Sequence, residues 1–495
     1  MISESLVHLG EKKSGIRELF EYGLRQAAVV GKENVYDYSL GNPSVPAPEE
    51  VASIIRELLE GDSLALHGYT PAGGAKEAQQ AVADDLTQRS GDTIRPENIF
   101  FTCGAAPALV AVLRALAVED AEFVAIAPYF PEYQVFVSYN GGKFVEVPPD
   151  TKNFQVDIAA VERALTPHTQ AVLVNSPNNP SGVIYSRETL TALGALLERK
   201  SAEYGHPIYI IADEPYRELV YDNAEVPYIP GIYRDTVICY SYSKSLSMPG
   251  ERIGYVCIPD SVTDSAKLHA AVAGASRAFG HVCAPSMMQR VIARATGLRP
   301  DLEAYDKNRH TLYNALSEMG YECVKPEGAF YMMVKAPGGD AHAFSERAKK
   351  ENLLLVPADS FGCPGFFRIS TCVDPAMIQR SLPAFRRVLQ DYGGMPISIL
   401  HPQRHGPHRA MPLSLSKRIF AKLSNETCFT GLSFEKAAAR CSARRARRTL
   451  RTFTSRAVFS LRLRAQTLRG FFECGMFSNF LSNSFPHFLD TIRKS

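Results

Sequence analysis

A lysine, two serines and an arginine lie close together in residues 241–255. Lys244 carries an amine, which can act as a nucleophile towards an aldehyde. Ser241 and Ser243 precede it and Arg252 follows it by eight residues; hydroxyl and guanidinium groups of this kind hold a phosphate. An isolated lysine is usually a surface residue. These neighbours instead favour a segment that binds a phosphorylated aldehyde.

Two other motifs precede this segment. Asp213 ends the apolar run Ile-Tyr-Ile-Ile-Ala-Asp and is followed three residues later by Tyr216, while Asn179 lies in the string Asn-Ser-Pro-Asn-Asn-Pro-Ser-Gly. Together with Ser-Tyr-Ser-Lys and Gly-Glu-Arg-Ile-Gly, these motifs resemble the fold-type I, class I/II aminotransferases over about residues 14–392. The resemblance implies pyridoxal 5'-phosphate as the cofactor, and an L-amino acid and a 2-oxo acid as substrates.

The resemblance also implies a role for each polar residue of these motifs. Lys244 binds the cofactor aldehyde and then moves a proton between the substrate Cα and the cofactor. Asp213 keeps the pyridine nitrogen protonated. Tyr216 and Asn179 hydrogen-bond the phenolate oxygen, and Asn179 also contacts the substrate. The implied phosphate ligands are Ser241, Ser243, Arg252 and the backbone N–H groups of Gly104, Ala105 and Ala106, which lie at a helix N-terminus.

Three residues are implied to surround the cofactor ring and the substrate. Phe130 stacks on the ring, and the backbone at Gly41 approaches the substrate. Arg368, within Gly-Phe-Phe-Arg-Ile-Ser, resembles the arginine that binds the substrate α-carboxylate. An anion at this position would offset the cost of burying a guanidinium.

Two further residues bear on assembly and specificity. Tyr69 resembles a tyrosine that reaches the phosphate of a neighbouring subunit, which implies a homodimer with shared active sites. Arg277 lies one or two residues from the position of a second arginine that binds dicarboxylates, and a surface position is its alternative. Aspartate and 2-oxoglutarate are therefore candidate substrates. The motifs predict no metal site.

Six short apolar runs, separated by segments of helical length, predict an α/β fold with a mostly parallel sheet covered by helices. The runs span residues 98–102, 123–127, 170–175, 208–213, 236–241 and 253–258. Ligands bind at the carboxyl ends of such strands, and Gly104, Asn179, Asp213 and Lys244 each end or follow one of them. The resemblance extends this prediction to the seven-stranded sheet of the fold-type I enzymes.

The pattern changes after about residue 285. Helices are predicted over 286–297 and 302–319, and strands over 329–334, 353–357 and 366–370. We therefore expect a cofactor-binding domain over residues 48–284 and a smaller α+β domain over residues 285–394. The resemblance adds residues 1–47, with a strand near 36–40, to the small domain.

Residues 395–495 differ from the rest of the chain in charge. They hold 18 Lys and Arg against 4 Asp and Glu, a net of +14, which leaves 36 against 48, or −12, for the remainder. Such a basic segment can bind nucleic acid or a membrane surface. Because its apolar residues keep no sustained period and it carries no binding motif, we interpret it as a disordered tail outside the family.

The cysteines and the N-terminal residues bear on the cellular location of the protein. Ten cysteines occur without a Cys-x-x-Cys pair, which favours reduced thiols in the cytoplasm. The first residues lack the basic and apolar regions of a signal peptide, and no run of about 18 apolar residues occurs. We expect neither secretion nor a membrane span.

The sequence leaves two alternatives to an aminotransferase open. Carbon–sulfur lyases of the same fold perform β-elimination and share these motifs. A regulator that binds nucleic acid through its basic tail and senses an effector with an aminotransferase-like body is a second alternative. No winged-helix pattern precedes residue 14, which disfavours the regulator.

Overall fold

The structure is a computed structural model that describes residues 2–11 and 14–393. The basic tail over residues 395–495, with the disorder and nucleic-acid roles predicted for it, lies outside the described residues. The described strands are β1 (Tyr36–Asp37), β2 (Ile99–Thr102), β3 (Glu122–Ile126), β4 (Lys143–Val147), β5 (Thr169–Asn175), β6 (Tyr209–Asp213), β7 (Thr236–Ser241), β8 (Gly254–Cys257), β9 (Tyr331–Lys335), β10 (Leu353–Leu354), β11 (Val356–Pro357) and β12 (Phe366–Ser370).

Local capping sets the ends of several helices. Asp301 accepts a hydrogen bond from a backbone N–H in the first turn of its helix, and Gly320 ends the same helix in the left-handed conformation. The described helices are α1 (Glu4–Glu11), α2 (Gly15–Val30), α3 (Glu49–Leu59), α4 (Ser63–His67), α5 (Lys76–Ser90), α6 (Ala105–Leu116), α7 (Glu132–Tyr139), α8 (Ile158–Ala164), α9 (Arg187–Tyr204), α10 (Tyr242–Ser245), α11 (Ser265–Ala278), α12 (Ser286–Ala295), α13 (Leu302–Met319), α14 (Ala341–Lys349) and α15 (Pro375–Gln390). Within the described ranges, no helix combines the length and apolar character needed to cross a membrane.

Seven strands form the main sheet in the order β2-β8-β7-β6-β5-β3-β4. The pairs among β4, β3, β5, β6 and β7 are parallel, and β8 is antiparallel to both of its neighbours. The predicted mostly parallel seven-stranded sheet is therefore confirmed. The seventh strand, β4, was not among the six apolar runs, because Lys143 and Glu146 interrupt its apolar pattern.

Both faces of this sheet are buried, as a parallel sheet requires. Along β6, Ile210 and Ala212 pack into a core on one face, and Tyr209 and Ile211 pack into a core on the other. Helices α5, α9 and α12 contribute to the first core, and α6, α7 and α11 contribute to the second. The continuous apolar run of β6 follows from burial on both sides.

Two smaller sheets involve the C-terminal part of the described chain. Strands β11, β12 and β9 form an antiparallel sheet, and β1 pairs in parallel with β10. The strand predicted over 353–357 is thus two short strands that pair in different sheets. Helix α12 packs with the core of the seven-stranded sheet, although the predicted small domain begins at residue 285. The proposed domain boundaries stay predictions.

The carboxyl ends of four strands, β2, β5, β6 and β7, meet at one edge of the main sheet. Asn175 at the end of β5 is opposite Asp213 at the end of β6. Gly254, the first residue of the antiparallel β8, is opposite both Thr102 and Ser241, which end β2 and β7. A Cβ on Gly254 would lie 2.3 Å from the Tyr240 carbonyl oxygen and 2.9 Å from the Cα of Gly104. Only glycine fits between these backbones.

We predict that Gly254→Ala destabilises the protein by about 2 kcal/mol or more, because backbone atoms must move to admit the methyl group. Gly274→Ala is the matched control, since a Cβ there meets no atom within 4 Å and the residue lies inside α11. Alanine at that helical position should be neutral or stabilising. Thermal melting of both variants against the parent protein measures the difference. Equal melting temperatures for all three proteins would contradict the close approach at Gly254.

Candidate active site

Lys244 lies in α10, the short helix that follows β7. Ser241 caps this helix by accepting a hydrogen bond from the N–H of Ser243. The Lys244 amine donates to the Gly41 carbonyl over 2.7 Å and lies 5.4 Å from the centre of the Phe330 ring. Burial lowers the pKa of this amine to about 8, because loss of water disfavours the charged form. A nucleophilic amine is therefore held at the carboxyl edge of the sheet.

Asp213 ends β6 in the middle of the sheet and is 5% exposed. Its Oδ2 accepts a hydrogen bond of 2.5 Å from the Tyr133 hydroxyl, whereas its Oδ1 has no partner among the described residues. Burial raises the pKa of the carboxyl group to about 7; the bond from Tyr133 lowers it and the nearby Glu214 carboxylate raises it. One oxygen of a buried carboxyl group is thus available to a ligand.

A chain of amide hydrogen bonds connects Asp213 with Arg368. Asn175 donates to the Asp213 carbonyl over 2.8 Å, and its own side-chain oxygen accepts from the Asn179 N–H over 2.7 Å. The Asn179 Oδ1 then accepts from Nη1 of Arg368 over 3.1 Å. Because Asn175 is opposite Asp213 in the sheet, the strand register fixes the first of these contacts.

Arg368, on β12, is a buried cation at 2% exposure. It donates from Nη2 to the Ser39 carbonyl, and its guanidinium lies 4.5 Å from the centre of the Tyr331 ring. Its Nε has no hydrogen-bond partner in the described chain. Burial lowers the pKa of the guanidinium, and no carboxylate is among the groups that act on it. These properties suit an anionic ligand.

Tyr331 packs between several predicted site residues. Its hydroxyl lies 3.3 Å from that of Tyr216, and the two ring centres are 5.7 Å apart. A Cβ on Gly41 would lie 1.7 Å from the Tyr331 hydroxyl oxygen. Glycine is therefore required at position 41, and the loop that accepts the hydrogen bond from Lys244 lies directly against this tyrosine.

A group of hydrogen-bond donors lies where β2 turns into α6. Gly104 makes this turn with a φ of 99°, and a Cβ there would lie 2.7 Å from Nη2 of Arg252. The N–H groups of Ala105 and Ala106 begin α6, and no described group accepts a hydrogen bond from either. Two backbone donors, a guanidinium and the positive end of the α6 dipole therefore face the same space.

A cavity of about 190 Å³ joins these groups. Every residue predicted to bind the cofactor lines it except Gly104, which adjoins it, and Tyr69. Phe130 is part of its wall, and the hydroxyls of Ser241 and Ser243 lie 2.6 Å apart there. A larger cleft of about 580 Å³, near residues 151–155 and 322–325, contains none of the predicted site residues. We assign the site to the smaller cavity because it holds the amine, the carboxyl group and the phosphate donors.

Tyr69 and Arg277 lie away from this cavity, whereas Gly41 and Arg368, which do not line it either, contact the lining residues Lys244 and Asn179. Tyr69 is 94% exposed, so its side chain does not reach the cavity of its own chain. Arg277 is exposed in the last turn of α11 and does not line the cavity either. The structure gives no support for a substrate contact by Arg277 within one chain, and its role stays a prediction.

Three residues of the site were not predicted from the sequence: Tyr133, Asn175 and Tyr331. Tyr133 lies in the first turn of α7, three residues after Phe130, and its closeness in sequence to Phe130 is the signal that could have identified it. Asn175 ends the apolar run of β5, as Asp213 ends that of β6. Tyr331 resembles an ordinary core aromatic of a strand, and only the fold places it beside Arg368.

Comparison with known proteins identifies the family. The family model described as Aminotransferase class I and II matches residues 33–385. The chain belongs to this family. Its members depend on pyridoxal phosphate, and the relatives below are aminotransferases, so the chain is a pyridoxal-phosphate-dependent aminotransferase.

Relatives of known sequence or structure cover most of the chain. A probable aspartate/prephenate aminotransferase of Thermus aquaticus is 32% identical over 361 residues, which cover 71% of this chain and 90% of that protein. The structure of an amino transferase from Eubacterium rectale is 54% identical, with a TM-score of 0.78, and covers 79% of this chain and 99% of its own. Aspartate aminotransferase from Thermus thermophilus, solved with maleate, is 27% identical with a TM-score of 0.69 and covers 78% and 100%.

The residues at the cavity fit the cofactor of this family. Pyridoxal phosphate carries an aldehyde, a basic ring nitrogen and a dianionic phosphate. The amine of Lys244 matches the aldehyde, and the unpartnered Oδ1 of Asp213 matches the ring nitrogen. The free N–H groups that begin α6, together with Arg252 and the serine hydroxyls, match the phosphate.

We predict that capture of pyridoxal phosphate by cofactor-free protein accelerates with rising pH and is half-maximal near pH 8, because Lys244 reacts as the neutral amine and its pKa is about 8. Stopped-flow absorbance measures this rate. Lys244→Ala should show no covalent capture, and Lys325→Ala, which removes an exposed lysine that does not line the cavity, should match the parent. A midpoint near 10, the ordinary lysine pKa, would contradict the effect of burial.

Proposed function

We propose that the chain transfers an amino group from an L-amino acid to a 2-oxo acid in a ping-pong cycle, with Lys244 as the residue that moves the proton. The observation that carries this proposal is the convergence of three groups at the carboxyl edge of one sheet. They are the amine of Lys244 and two atoms without a hydrogen-bond partner in the described part of the chain, Oδ1 of Asp213 and Nε of Arg368. The reaction needs an amine, a hydrogen-bond acceptor for the protonated ring nitrogen and a cation that binds the substrate carboxylate.

Each step of proton movement is assigned to a residue of this chain. Bound pyridoxal phosphate supplies a ring that withdraws electrons from the substrate Cα. Lys244, as the neutral amine, removes the proton from Cα and returns it to C4′ of the cofactor. Its pKa of about 8 makes both the neutral and the charged amine accessible near neutral pH. Asp213 accepts a hydrogen bond from the ring nitrogen, and Tyr216 and Asn179 hydrogen-bond the phenolate oxygen.

The remaining groups bind and orient the cofactor and the substrate. Ser241, Ser243 and Arg252, with the N–H groups that begin α6, hold the phosphate. Phe130, which lines the cavity, would lie against the ring of the bound cofactor. Arg368 binds the substrate α-carboxylate through its free Nε, which would satisfy a buried cation that lacks a counter-charge in the described chain. Fixing the carboxylate sets the direction of the Cα–H bond and so favours proton loss over decarboxylation.

The substrate pair and the assembly are part of the proposal. Relatives named as aspartate aminotransferases support aspartate as a donor, and 2-oxoglutarate as the acceptor rests on the family resemblance. We propose a homodimer in which Tyr69 reaches the phosphate of the neighbouring subunit, and its 94% exposure leaves it free to do so. The seven described cysteines are free thiols, which supports a cytoplasmic location.

An absorbance spectrum of the purified protein tests the proposal. A visible cofactor band should convert stoichiometrically to the pyridoxamine form when an amino acid is added without a 2-oxo acid. A panel of amino acids then ranks the donors. Accumulation of pyruvate from a cysteine conjugate while the band survives would favour the lyase instead. Absence of a band after addition of pyridoxal phosphate would overturn the cofactor assignment at this site.

We predict different effects for two substitutions at the proposed site. Lys244→Ala should abolish turnover, because it removes the amine that moves the proton. Arg368→Ala should lower kcat/KM about a hundredfold or more through lost charged hydrogen bonds, while the spectrum of the bound cofactor stays unchanged. Arg234→Ala is the control, since Arg234 is exposed and does not line the cavity. Full turnover by Lys244→Ala would contradict the proposed mechanism.

A further inference from the structure

Tyr133 forms one of the shortest contacts of the site. Its hydroxyl donates to Oδ2 of Asp213 over 2.5 Å. Tyr133 is 1% exposed and Asp213 is 5% exposed, so water does not compete for this bond. The other carboxylate oxygen, Oδ1, has no partner in the described chain. The bond therefore distinguishes two oxygens that would otherwise be equivalent.

The tyrosine and the aspartate are each held by other contacts. The Tyr133 ring lies edge-on to the ring of Phe130, with centres 5.7 Å apart and planes at 86°. The backbone of Asp213 is fixed by the sheet and by the bond of 2.8 Å from Asn175 to its carbonyl. These contacts still allow the Asp213 carboxylate to rotate about its Cβ–Cγ bond. The Tyr133 hydroxyl is the one described donor that restricts it.

We propose that Tyr133 is a positioning residue for the cofactor: it occupies Oδ2 of Asp213 and thereby directs Oδ1 to the ring nitrogen of pyridoxal phosphate. The inference rests on the proposed role of Asp213 and deepens it. In this role Tyr133 touches neither the substrate nor the ring nitrogen. It acts through the orientation and charge of the carboxylate.

The electrostatic environment of Asp213 agrees with the positioning role of Tyr133. Burial raises the pKa of Asp213, and Glu214 raises it further. Tyr216 and Cys239 also face the carboxylate, and ionisation of either would add negative charge. Of the groups that act on the carboxyl group, the hydroxyl of Tyr133 is the one that lowers its pKa. Loss of this hydroxyl leaves the carboxyl group more often protonated, and a protonated carboxyl group is a poorer acceptor for a ring N–H.

Cofactor affinity of Tyr133→Phe, measured by titration of cofactor-free protein, tests the proposal. The second probe is an analogue of pyridoxal phosphate with carbon in place of the ring nitrogen, which cannot form the bond to Asp213. Tyr129→Phe is the matched control, because the Tyr129 hydroxyl donates to Glu146 over the same 2.5 Å from the same segment. Melting temperatures of the cofactor-free variants report on folding.

We expect Tyr133→Phe to bind pyridoxal phosphate about tenfold more weakly than the parent, the effect of one hydrogen bond to a charged group. It should bind the carbon analogue as the parent does, and Tyr129→Phe should match the parent with both probes. An unchanged affinity for pyridoxal phosphate, or an equal loss with both probes, would overturn the proposal. A parent protein that binds no pyridoxal phosphate would overturn the proposed function as well.

A second variant is available if Tyr133→Phe does not fold. A fluorinated tyrosine at position 133 keeps the hydroxyl and makes it a stronger donor. The affinity for pyridoxal phosphate should then change while that for the carbon analogue stays constant. Parallel changes with both probes, or none with either, would overturn the proposal.

Discussion

The site depends on two ionisable groups that are buried without an opposite charge beside them in the described part of the chain. Asp213 is 5% exposed and Arg368 is 2% exposed. Burying an unpaired charge costs on the order of several kcal/mol. The protein offsets this cost with neutral partners: the Tyr133 hydroxyl for the carboxylate, and Asn179 for the guanidinium. The Oδ1 of Asp213 and the Nε of Arg368 still have no hydrogen-bond partner among the described residues. The protonated ring nitrogen of the cofactor would complete the first, and the carboxylate of the substrate would complete the second.

The seven-stranded sheet makes this arrangement possible because its parallel strands end at one edge. Asp213 ends the central strand β6, and Lys244 follows the neighbouring strand β7. Helices cover both faces, so the ends of the strands and the first turns of helices such as α6 are what remain open to a ligand. The small sheets add the groups that the main sheet lacks. Arg368 from β12 reaches Asn179, and the Lys244 amine reaches the carbonyl of Gly41 near β1.

The sequence predicted the elements best where a single local rule decided them. The predicted helix over 302–319 has the observed bounds because an aspartate cap and a left-handed glycine mark its two ends. The predicted strand over 366–370 is also observed. The strand over 353–357 is two strands, since residues 353–354 pair with β1 and residues 356–357 pair with β12. Apolar content alone does not say which partner a strand takes. The half-exposed β4 was not predicted for a related reason, since Lys143 and Glu146 interrupt its apolar pattern.

The sequence by itself determined the family and the cofactor, and it predicted the roles proposed for Lys244, Asp213 and Arg368, because these residues lie in short motifs whose spacing is set by strand ends and tight turns. Tertiary structure alone decided which groups surround them. Tyr133 is 80 residues from Asp213 in sequence, and its hydrogen bond exists only because the fold brings the first turn of α7 to the end of β6. The tertiary structure also left Arg277 outside the cavity of its own chain. Short motifs reflect the local backbone conformation. The pKa values and orientations of the side chains in the site, and the substrate specificity, depend on contacts between segments that are distant in sequence.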